Sequence, residues 1–363
     1  MLNNSHFMTG RSRSLICSRT AAIVCAFSVS ASLLTGCGGK KDAATGTGST
    51  PGAAAPAGPE IDIAVIPKGT THDYWKSLHA GAAKAEQEAK AAGKNVHIIW
   101  KGPVREDDRN AQTDVVQTFT TQKVSAMVLA PLDSEALARP VEAAEDAGIP
   151  VVIIDSSLNS KKIASYVATD NEKGGALAGT QMIKLLGGKG RILVLRYGIG
   201  SASTEQREKG FLDTIKTAPG ITVVSSDQYA GPTVDTAYKS AQNVLGRYGK
   251  QIDGVFTPNE SSTLGMRLAL KDINELGKLK FVGFDSSGPL IDALKANEIQ
   301  ALVVQNPFQM GYMGVNTALD AIAKKQVPAT IDTGVTLVTP ENVGDPKVNE
   351  LINPPIDKYL GAS

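Results

Sequence analysis

Cysteine is scarce in this sequence. Its 363 residues include three cysteines, Cys17, Cys25 and Cys37, so the chain after position 37 has no thiol. A disulfide framework, a catalytic cysteine and a zinc–thiolate site are therefore excluded from that part of the chain.

Histidine and clustered charge are scarce as well. The sequence beyond position 40 contains only His72, His79 and His97, whose spacing is not that of a metal site. It contains no GxSxG and no phosphate-loop pattern. With 37 basic and 36 acidic residues interspersed, the net charge is +1, which argues against a nucleic-acid partner. We therefore expect no enzyme, no metal and no cofactor.

Long apolar runs are missing except for a short one near the N terminus. A segment with three arginines precedes apolar residues 21–34, a run too short to span a bilayer comfortably and typical of a secretory signal. The sequence "LTGCGGK" follows and resembles the bacterial lipobox, in which signal peptidase cuts before a cysteine that carries lipid. The alternative is a plain signal peptide with an incidental cysteine. We predict a lipoprotein signal peptide over residues 1–36, lipidation of Cys37, and a membrane-anchored periplasmic or otherwise extracytoplasmic protein.

Residues 37–59 are small residues, glycine and proline without apolar periodicity, which predicts a flexible linker. The remaining chain, about 300 residues, is long enough for two ordinary domains.

Short apolar runs alternate with amphipathic helical patterns through this remaining chain. Strands are predicted at Ile61–Ile66, Val96–Trp100, Ala126–Ala130, Val151–Ile154, Arg191–Leu195, Thr222–Ser225, Gly254–Phe256, Phe281–Phe284 and Leu302–Val304. Continuous Val, Ile and Leu strands separated by helices indicate parallel sheets covered on both faces. We predict an α/β fold with doubly wound parallel sheets.

Two segments repeat one plan. "LAPLDSEAL…PVVIIDSS" (129–157) and "FTPNESSTL…KFVGFDSS" (256–287) each contain a strand ending in proline, a helix, and a strand ending in Asp-Ser-Ser. Two similar α/β lobes explain this pattern most simply, and a coincidence of common strand-end chemistry is the alternative. Because ligands of open α/β sheets bind beyond the carboxyl ends of the strands, two facing lobes would share one cleft.

The residues at the predicted strand ends suit a sugar. The candidates are His72, Asp73, Tyr74, Trp75, Lys101 and Asp155 in the first lobe, Tyr197, Asn259 and Asp285 in the second, and Gln305 at a crossing. Flat aromatic rings match the C–H face of a sugar, and carboxylates and amides match its hydroxyls. Adjacent helical residues point about 100° apart, so one of Tyr74 and Trp75 is expected to pack inward, and Trp75 is favoured for the ligand. Asp155 and Asp285 would alternatively cap turns or helices, or form a glycosidase pair.

The chain from Ile61 to about Thr339 resembles the ribose/galactose type of periplasmic binding protein, the receptor of ABC sugar importers. The resemblance lies in "IAVIPKGTTHDYWKSLHAGA", "GIPVVIIDSS", "VATDNEKGG", "REKGF", "VFTPNE", "FVGFDSS" and "VVQNPFQMGYMGV", in that order. It implies two Rossmann-like lobes that close on a sugar. It also implies three hinge crossings, near Ala168–Asp170, Gln305–Asn306 and Gly334–Thr336.

The resemblance also implies site residues. The positions that match the family's sugar contacts are Tyr74, Trp75, Asp155, Asn259, Asp285 and Gln305. The family's arginine falls on Arg207, although a shift of two positions would place Glu205 there. Ser156, Ala130 and His72 stand where ribose binders have arginine, asparagine and asparagine, so ribose itself is doubtful. Lys101 would supply the missing cation or be a solvated lysine.

The resemblance implies the following organisation. The N-terminal lobe would span 60–169 and 306–334, the C-terminal lobe 170–305 and 335–345, and a C-terminal tail 346–363. The implied function is capture of a small sugar by hinge closure and its delivery, as a monomer, to an ABC permease. A sensor coupled to a chemotaxis or kinase partner is the alternative. The effector-binding core of a LacI-type repressor shares the fold but would need a helix-turn-helix in place of the signal sequence.

Overall fold

The computed structural model describes residues 58–361. The predicted signal peptide, the lipidation site at Cys37 and nearly all of the predicted linker lie outside the described residues. Among the helices within 58–361, none combines the length and the hydropathy that a membrane span requires.

Strands and helices alternate along the described chain. The strands are β1 (Ile61–Ile66), β2 (Val96–Trp100), β3 (Ala126–Leu129), β4 (Val151–Ile154), β5 (Ser165–Ala168), β6 (Lys189–Arg196), β7 (Gly220–Tyr229), β8 (Gly254–Phe256), β9 (Lys280–Phe284), β10 (Ala301–Gln305), β11 (Thr330–Asp332) and β12 (Val335–Val338). The helices are α1 (Asp73–Ala91), α2 (Arg109–Gln122), α3 (Ala138–Asp146), α4 (Asn171–Leu186), α5 (Ala202–Ile215), α6 (Val234–Tyr248), α7 (Glu260–Asp272), α8 (Gly288–Lys295), α9 (Pro307–Ile322), α10 (Pro346–Ile352) and α11 (Ile356–Leu360). Each of the predicted strands is present.

The strands form two six-stranded sheets with the same plan. Their orders are β11-β5-β4-β3-β1-β2 and β12-β10-β9-β8-β6-β7. Every pairing is parallel except that of β12 with β10. Apart from the edge strands β11 and β12, both sheets have the order 2-1-3-4-5 of a doubly wound domain, whose ligands bind where the strand order reverses. The predicted fold class is confirmed.

The chain passes from one sheet to the other three times, at residues 169–170, 306 and 333–334. We call the part that contains the first sheet lobe one and the part that contains the second sheet lobe two.

Apolar side chains cover both faces of each sheet. In β1, Ile63 and Val65 point to one core of lobe one, and Ala64 and Ile66 point to the other. Because both faces are buried, the central strands are continuous apolar runs without an alternating polar face.

The C-terminal tail contacts both lobes. Val348 and Leu351 of α10 pack against the core of lobe two. In α11, the Tyr359 ring lies 5.7 Å from the Phe308 ring of α9, and its carbonyl oxygen accepts from Gln87 Nε2 of α1 at 3.5 Å. The tail therefore adds a fourth connection between the lobes.

Candidate functional site

The carboxyl ends of the strands of both sheets surround one buried cavity. The free space inside it is about 30 Å³, well below the range for small-molecule sites, so the side chains that line it lie close together. Its lining residues are Lys68, His72, Tyr74, Trp75, Glu106 and Asp155 of lobe one, Tyr197, Ser201, Ser203, Thr204, Arg207, Asn259, Glu260 and Asp285 of lobe two, and Gln305 at the second crossing. All of these residues are buried.

The cavity contains most of the residues singled out in the sequence. His72, Tyr74, Trp75, Asp155, Arg207, Asn259, Asp285 and Gln305 all line it. Of the two alternatives on α5, Arg207 reaches the cavity, whereas Glu205 accepts from the backbone of Gly200 outside it. Lys101 does not reach the cavity, because it is exposed at the end of β2, the edge strand of its sheet.

Lys68, which follows β1, provides the cation in lobe one. Its ammonium lies 2.7 Å from Asp155 Oδ2 and also donates to Ser156 Oγ (3.0 Å) and to Ser203 Oγ of lobe two (3.1 Å). The Tyr74 hydroxyl donates to Asp155 Oδ1 at 2.9 Å. Burial and the adjacent Asp155 raise the pKa of Tyr74 well above its ordinary value, so the phenol keeps its proton.

Glu106 organises the opposite wall. Its carboxylate accepts from Trp75 Nε1 (2.6 Å) and from the Tyr197 hydroxyl of lobe two (2.6 Å), and pairs with His72 Nδ1 (2.7 Å). Burial disfavours the charge on Glu106, but His72, Lys68 and Tyr197 outweigh it and lower its pKa to about 2. Burial likewise opposes the charge on His72, but Glu106 raises its pKa to about 9. The pair is therefore ionised at neutral pH.

Asp285 organises the wall of lobe two. It accepts from Gln305 Nε2 (2.7 Å) and from the backbone N–H of Glu260 (3.0 Å), and Arg207 Nη1 lies 4.0 Å from it. Burial raises its pKa, although Arg207 counteracts this. Arg207 is fixed by its bonds to Asn171 Oδ1 (2.8 Å) and to the carbonyl of Pro258 (3.0 Å).

Asn259 has a structural use as well as a place in the cavity. It is the N-cap of α7, and its side-chain oxygen accepts from the N–H of Ser262 at 3.3 Å and from the Ser262 hydroxyl at 2.6 Å. Its amide nitrogen donates to Ser261 Oγ at 3.2 Å. The side chain is thus held in one orientation at the cavity wall.

The repeated Asp-Ser-Ser segments have the same unusual backbone. Asp155 has φ of 62° and Asp285 has φ of 67°. Both lie in the left-handed region, which residues other than glycine adopt uncommonly. The N–H of Asp155 donates to Val167 of the neighbouring strand, and that of Asp285 donates to Val303 in the same way. Such strain at matched positions is typical of ligand-binding sites.

Two cavity atoms are left for a ligand. Gln305 Oε1 and Ser201 Oγ are buried and have neither a hydrogen-bond partner nor an ion-pair partner among residues 58–361. Because a buried polar group without a partner is costly, these atoms are suited to the hydroxyls of a bound molecule.

Tyr74 and Trp75 both line the cavity. The sequence predicted that one ring would pack inward, but both reach the cavity and both also contact the core of lobe one. Their centroids are 4.9 Å apart, with the planes at 86°. Although adjacent residues of a helix point about 100° apart, both rings reach the cavity because they form adjoining walls of it at the start of α1.

Sequence reasoning missed several lining residues. Lys68 lies in the stretch "PKGTTHDYWK", two residues beyond β1. This position, just after a central strand, could have indicated a residue of the site. Glu260 follows Asn259 directly as the first residue of α7, where an acidic side chain is common in any helix and therefore gives no signal of a site. Glu106 lies in a loop six residues beyond β2, and Ser203 in the first turn of α5, so only the folded structure brings them to the cavity.

Comparison with known proteins gives one consistent result. The profile of the periplasmic binding protein domain matches residues 63–326. The ribose import binding protein RbsB of Bacillus subtilis is 30% identical over 284 residues, which cover 77% of this chain and 88% of the relative. A xylitol-binding protein of Mycolicibacterium smegmatis is 28% identical over 237 residues, covering 65% of this chain and 66% of the relative.

Solved structures give the same picture. An ABC transporter solute-binding protein of Agrobacterium vitis with bound D-fucose matches with a TM-score of 0.76 and 35% identity, covering 80% of this chain and 100% of that chain. A carbohydrate transporter solute-binding protein of Agrobacterium radiobacter in complex with D-arabinose matches with a TM-score of 0.75 and 35% identity, covering 81% and 99%. This chain belongs to the periplasmic binding protein family.

Proposed function

We propose that this chain is the sugar-binding component of an ABC importer, anchored outside the cytoplasm by lipid on Cys37. It captures one small neutral sugar or polyol between its lobes and delivers it to a permease. The relatives support this proposal, since their names and bound ligands include ribose, xylitol, D-fucose and D-arabinose.

One observation carries the proposal. A buried polar cavity is lined by residues of both lobes. A ligand that contacts both lobes stabilises the closed form over the open form, because an open cleft offers it only one wall. Hinge closure is therefore the mechanism of capture.

The charges of the cavity favour a neutral ligand. Lys68 pairs with Asp155, His72 with Glu106, and Arg207 lies beside Asp285. Each cation is thus matched by a carboxylate. Glu260 is a fourth carboxylate, but its pKa is raised to about 7, so no strong excess of either sign is left to attract a charged group. A sugar hydroxyl, which donates and accepts, fits such paired groups better than a carboxylate or a phosphate does.

The aromatic wall and the polar wall of the cavity recognise different parts of a sugar. Tyr74 and Trp75 supply the apolar surface for the C–H face of the ring. Asp155, Asp285, Arg207 and Gln305 bind its hydroxyls and fix their configuration. A hydroxyl of the wrong configuration leaves a buried group unpaired at a cost of about 1–3 kcal/mol, which provides specificity.

A ligand screen tests the proposal. Thermal unfolding of the purified chain is measured with pentoses, hexoses and polyols, including D-ribose, D-arabinose, D-fucose and xylitol, and with sugar acids as a charged class. We expect one or a few neutral compounds to raise the melting temperature, and calorimetry to give a Kd. Asp285→Asn should abolish the shift, whereas the control Asp235→Asn, at an exposed position of α6, should preserve it. If no neutral sugar or polyol stabilises the protein, the proposal is wrong.

Genomic context separates an importer from the sensor. Adjacent genes for a permease and an ATPase support import, and an adjacent sensor kinase gene would favour sensing.

A further inference from the structure

Helix α1 begins without a side-chain cap from its own lobe. Its N-cap residue, His72, has extended backbone (φ −89°, ψ 147°) but makes no capping bond, because its imidazole is turned toward Glu106 at 2.7 Å. The first N–H groups of a helix have no partner within the helix and need one from elsewhere. These N–H groups belong to the turn that carries Tyr74 and Trp75.

A side chain of lobe two supplies the partner. Glu260 Oε1 accepts from the N–H of Asp73 at 3.4 Å, and Glu260 Oε2 accepts from the N–H of Tyr74 at 3.2 Å. Glu260 is 5% exposed and is the first residue of α7. Its own N–H donates to Asp285, so the residue is fixed to the wall of lobe two.

We propose that Glu260 is a positioning residue that caps helix α1 across the cleft, so that closing the lobes completes the helix that presents Tyr74 and Trp75 to the ligand. The proposal rests on the proposed function for the identity of the ligand, but the contact itself joins protein to protein. Because only the closed form contains this cap, its whole stabilisation favours closure.

The surrounding charges make the cap sensitive to pH. The positive end of α1 favours a carboxylate. His72 and Lys76 on the α1 side are favourable to the charge, whereas Asp73 and Asp285 oppose it. Burial is the largest effect and, with Asp285, raises the pKa of Glu260 to about 7 from the ordinary 4.5.

The sign of the pH effect follows from this shift. In an open cleft Glu260 is solvated and its pKa is ordinary, so closure takes up a proton between pH 4.5 and 7. The contribution of Glu260 to closure is therefore fully present below pH 4.5, and it is lost as the pH rises through 7. His72, with its pKa raised to about 9, acts in the same direction but mainly above pH 6.5.

The test compares Glu260→Ala and Glu260→Gln with the wild type. The control is Glu172→Ala, which removes an exposed carboxylate from the first turn of α4, in the same lobe and away from the cavity. The probes are D-arabinose and D-fucose, and their Kd values are measured by calorimetry from pH 5 to 7. Lobe separation is measured by pulsed electron paramagnetic resonance between labels at Val104→Cys and Ile199→Cys, which are exposed on opposite lobes. Cys17, Cys25 and Cys37 are changed to serine in the labelled chain.

We expect Glu260→Ala to raise Kd about fivefold to thirtyfold, the range of a lost helix cap, and to shift the label distances to longer values. Glu260→Gln, which resembles the protonated acid, should bind at least as tightly as the wild type at pH 7 and lose most of the dependence of Kd on pH, leaving the smaller part that His72 contributes. Glu172→Ala should bind like the wild type. The melting temperature of the unliganded protein should be nearly unchanged in all three variants.

Other outcomes overturn the proposal. Unchanged Kd and label distances in Glu260→Ala would show that the cap does not favour closure. A matching loss of melting temperature in the unliganded protein would show that Glu260 only stabilises lobe two. If the wild type binds neither sugar, the proposed function is in question, and the unliganded label distances decide. Longer distances in Glu260→Ala than in the wild type support the cap, and equal distances refute it.

Discussion

Replacing Lys68 by methionine should weaken ligand binding far more than it weakens the fold. Its ammonium lies 2.7 Å from Asp155 Oδ2, and both side chains are 5% exposed. Methionine has a similar length and apolar stem but no charge. The substitution therefore leaves a buried carboxylate whose remaining partner is the Tyr74 hydroxyl.

The magnitude follows from burial. Removing one partner of a buried ion pair costs about 3–5 kcal/mol, because the remaining charge stays out of water without compensation. This cost applies to the closed form. In an open cleft Asp155 regains water and the cost is small, so most of the loss falls on closure and hence on ligand affinity. A loss of 3–5 kcal/mol corresponds to roughly 150- to 5,000-fold in Kd.

Calorimetry with the best ligand of the screen measures the ligand affinity. Thermal unfolding without ligand measures the stability of the fold separately. Lys101→Met is the matched control, because Lys101 is an exposed lysine that follows the neighbouring strand β2. It should leave Kd unchanged. An affinity loss below about threefold for Lys68→Met would refute the electrostatic reasoning. A drop in the melting temperature of the unliganded protein as large as the loss of binding energy would place the cost in the fold.

Three further predictions concern packing and anchoring. Trp75→Phe keeps the apolar wall but removes the 2.6 Å bond to Glu106, so Kd should rise about tenfold with little change in melting temperature; unchanged Kd would contradict this. Gly175→Ala places a methyl group 2.0 Å from a carbonyl oxygen of α5 and should lower the free energy of unfolding by at least about 2 kcal/mol in urea. The control Gly246→Ala, which has open space in α6, should be neutral or slightly stabilising, and equal effects would refute the packing argument. Cys37→Ser should move the protein from the membrane to the soluble fraction, and continued membrane retention would contradict lipid anchoring.

The central strands were predictable because their burial on both faces leaves continuous apolar runs. Three strands were not predicted, and all are short. β11 has three residues, two of them exposed, and both β11 and β12 lie at sheet edges. β5, "SYVA", contains polar residues and lies next to that edge. β11 also pairs with β5, which lies far away in the sequence, so no local pattern reveals that pairing.

The site was predictable where a residue directly follows a central strand. Asp155 and Asp285 occupy the position immediately after β4 and β9, and the geometry of parallel sheets brings both to the cleft. The same rule failed for Lys101, because β2 is an edge strand and its end lies away from the position where the strand order reverses. Glu106 was missed because it lies in a loop beyond β2, and Glu260 because it meets the start of α1 across the two lobes; neither arrangement is set by local sequence.

The two lobes hold an aspartate on the same backbone geometry but give it different side-chain partners. Asp155 and Asp285 have the same left-handed backbone after equivalent strands, each with its N–H bonded to the next strand. Yet Asp155 is paired with a lysine and a tyrosine, whereas Asp285 is paired with a glutamine and lies 4.0 Å from an arginine. The backbone strain is held by the sheet and does not depend on the side-chain partners. This backbone geometry can therefore keep a carboxylate at a fixed point on each side of the ligand while neighbouring residues change. On this reasoning, substitutions of Gln305 should change which sugar is bound in the ligand screen, whereas replacing either aspartate should end binding altogether.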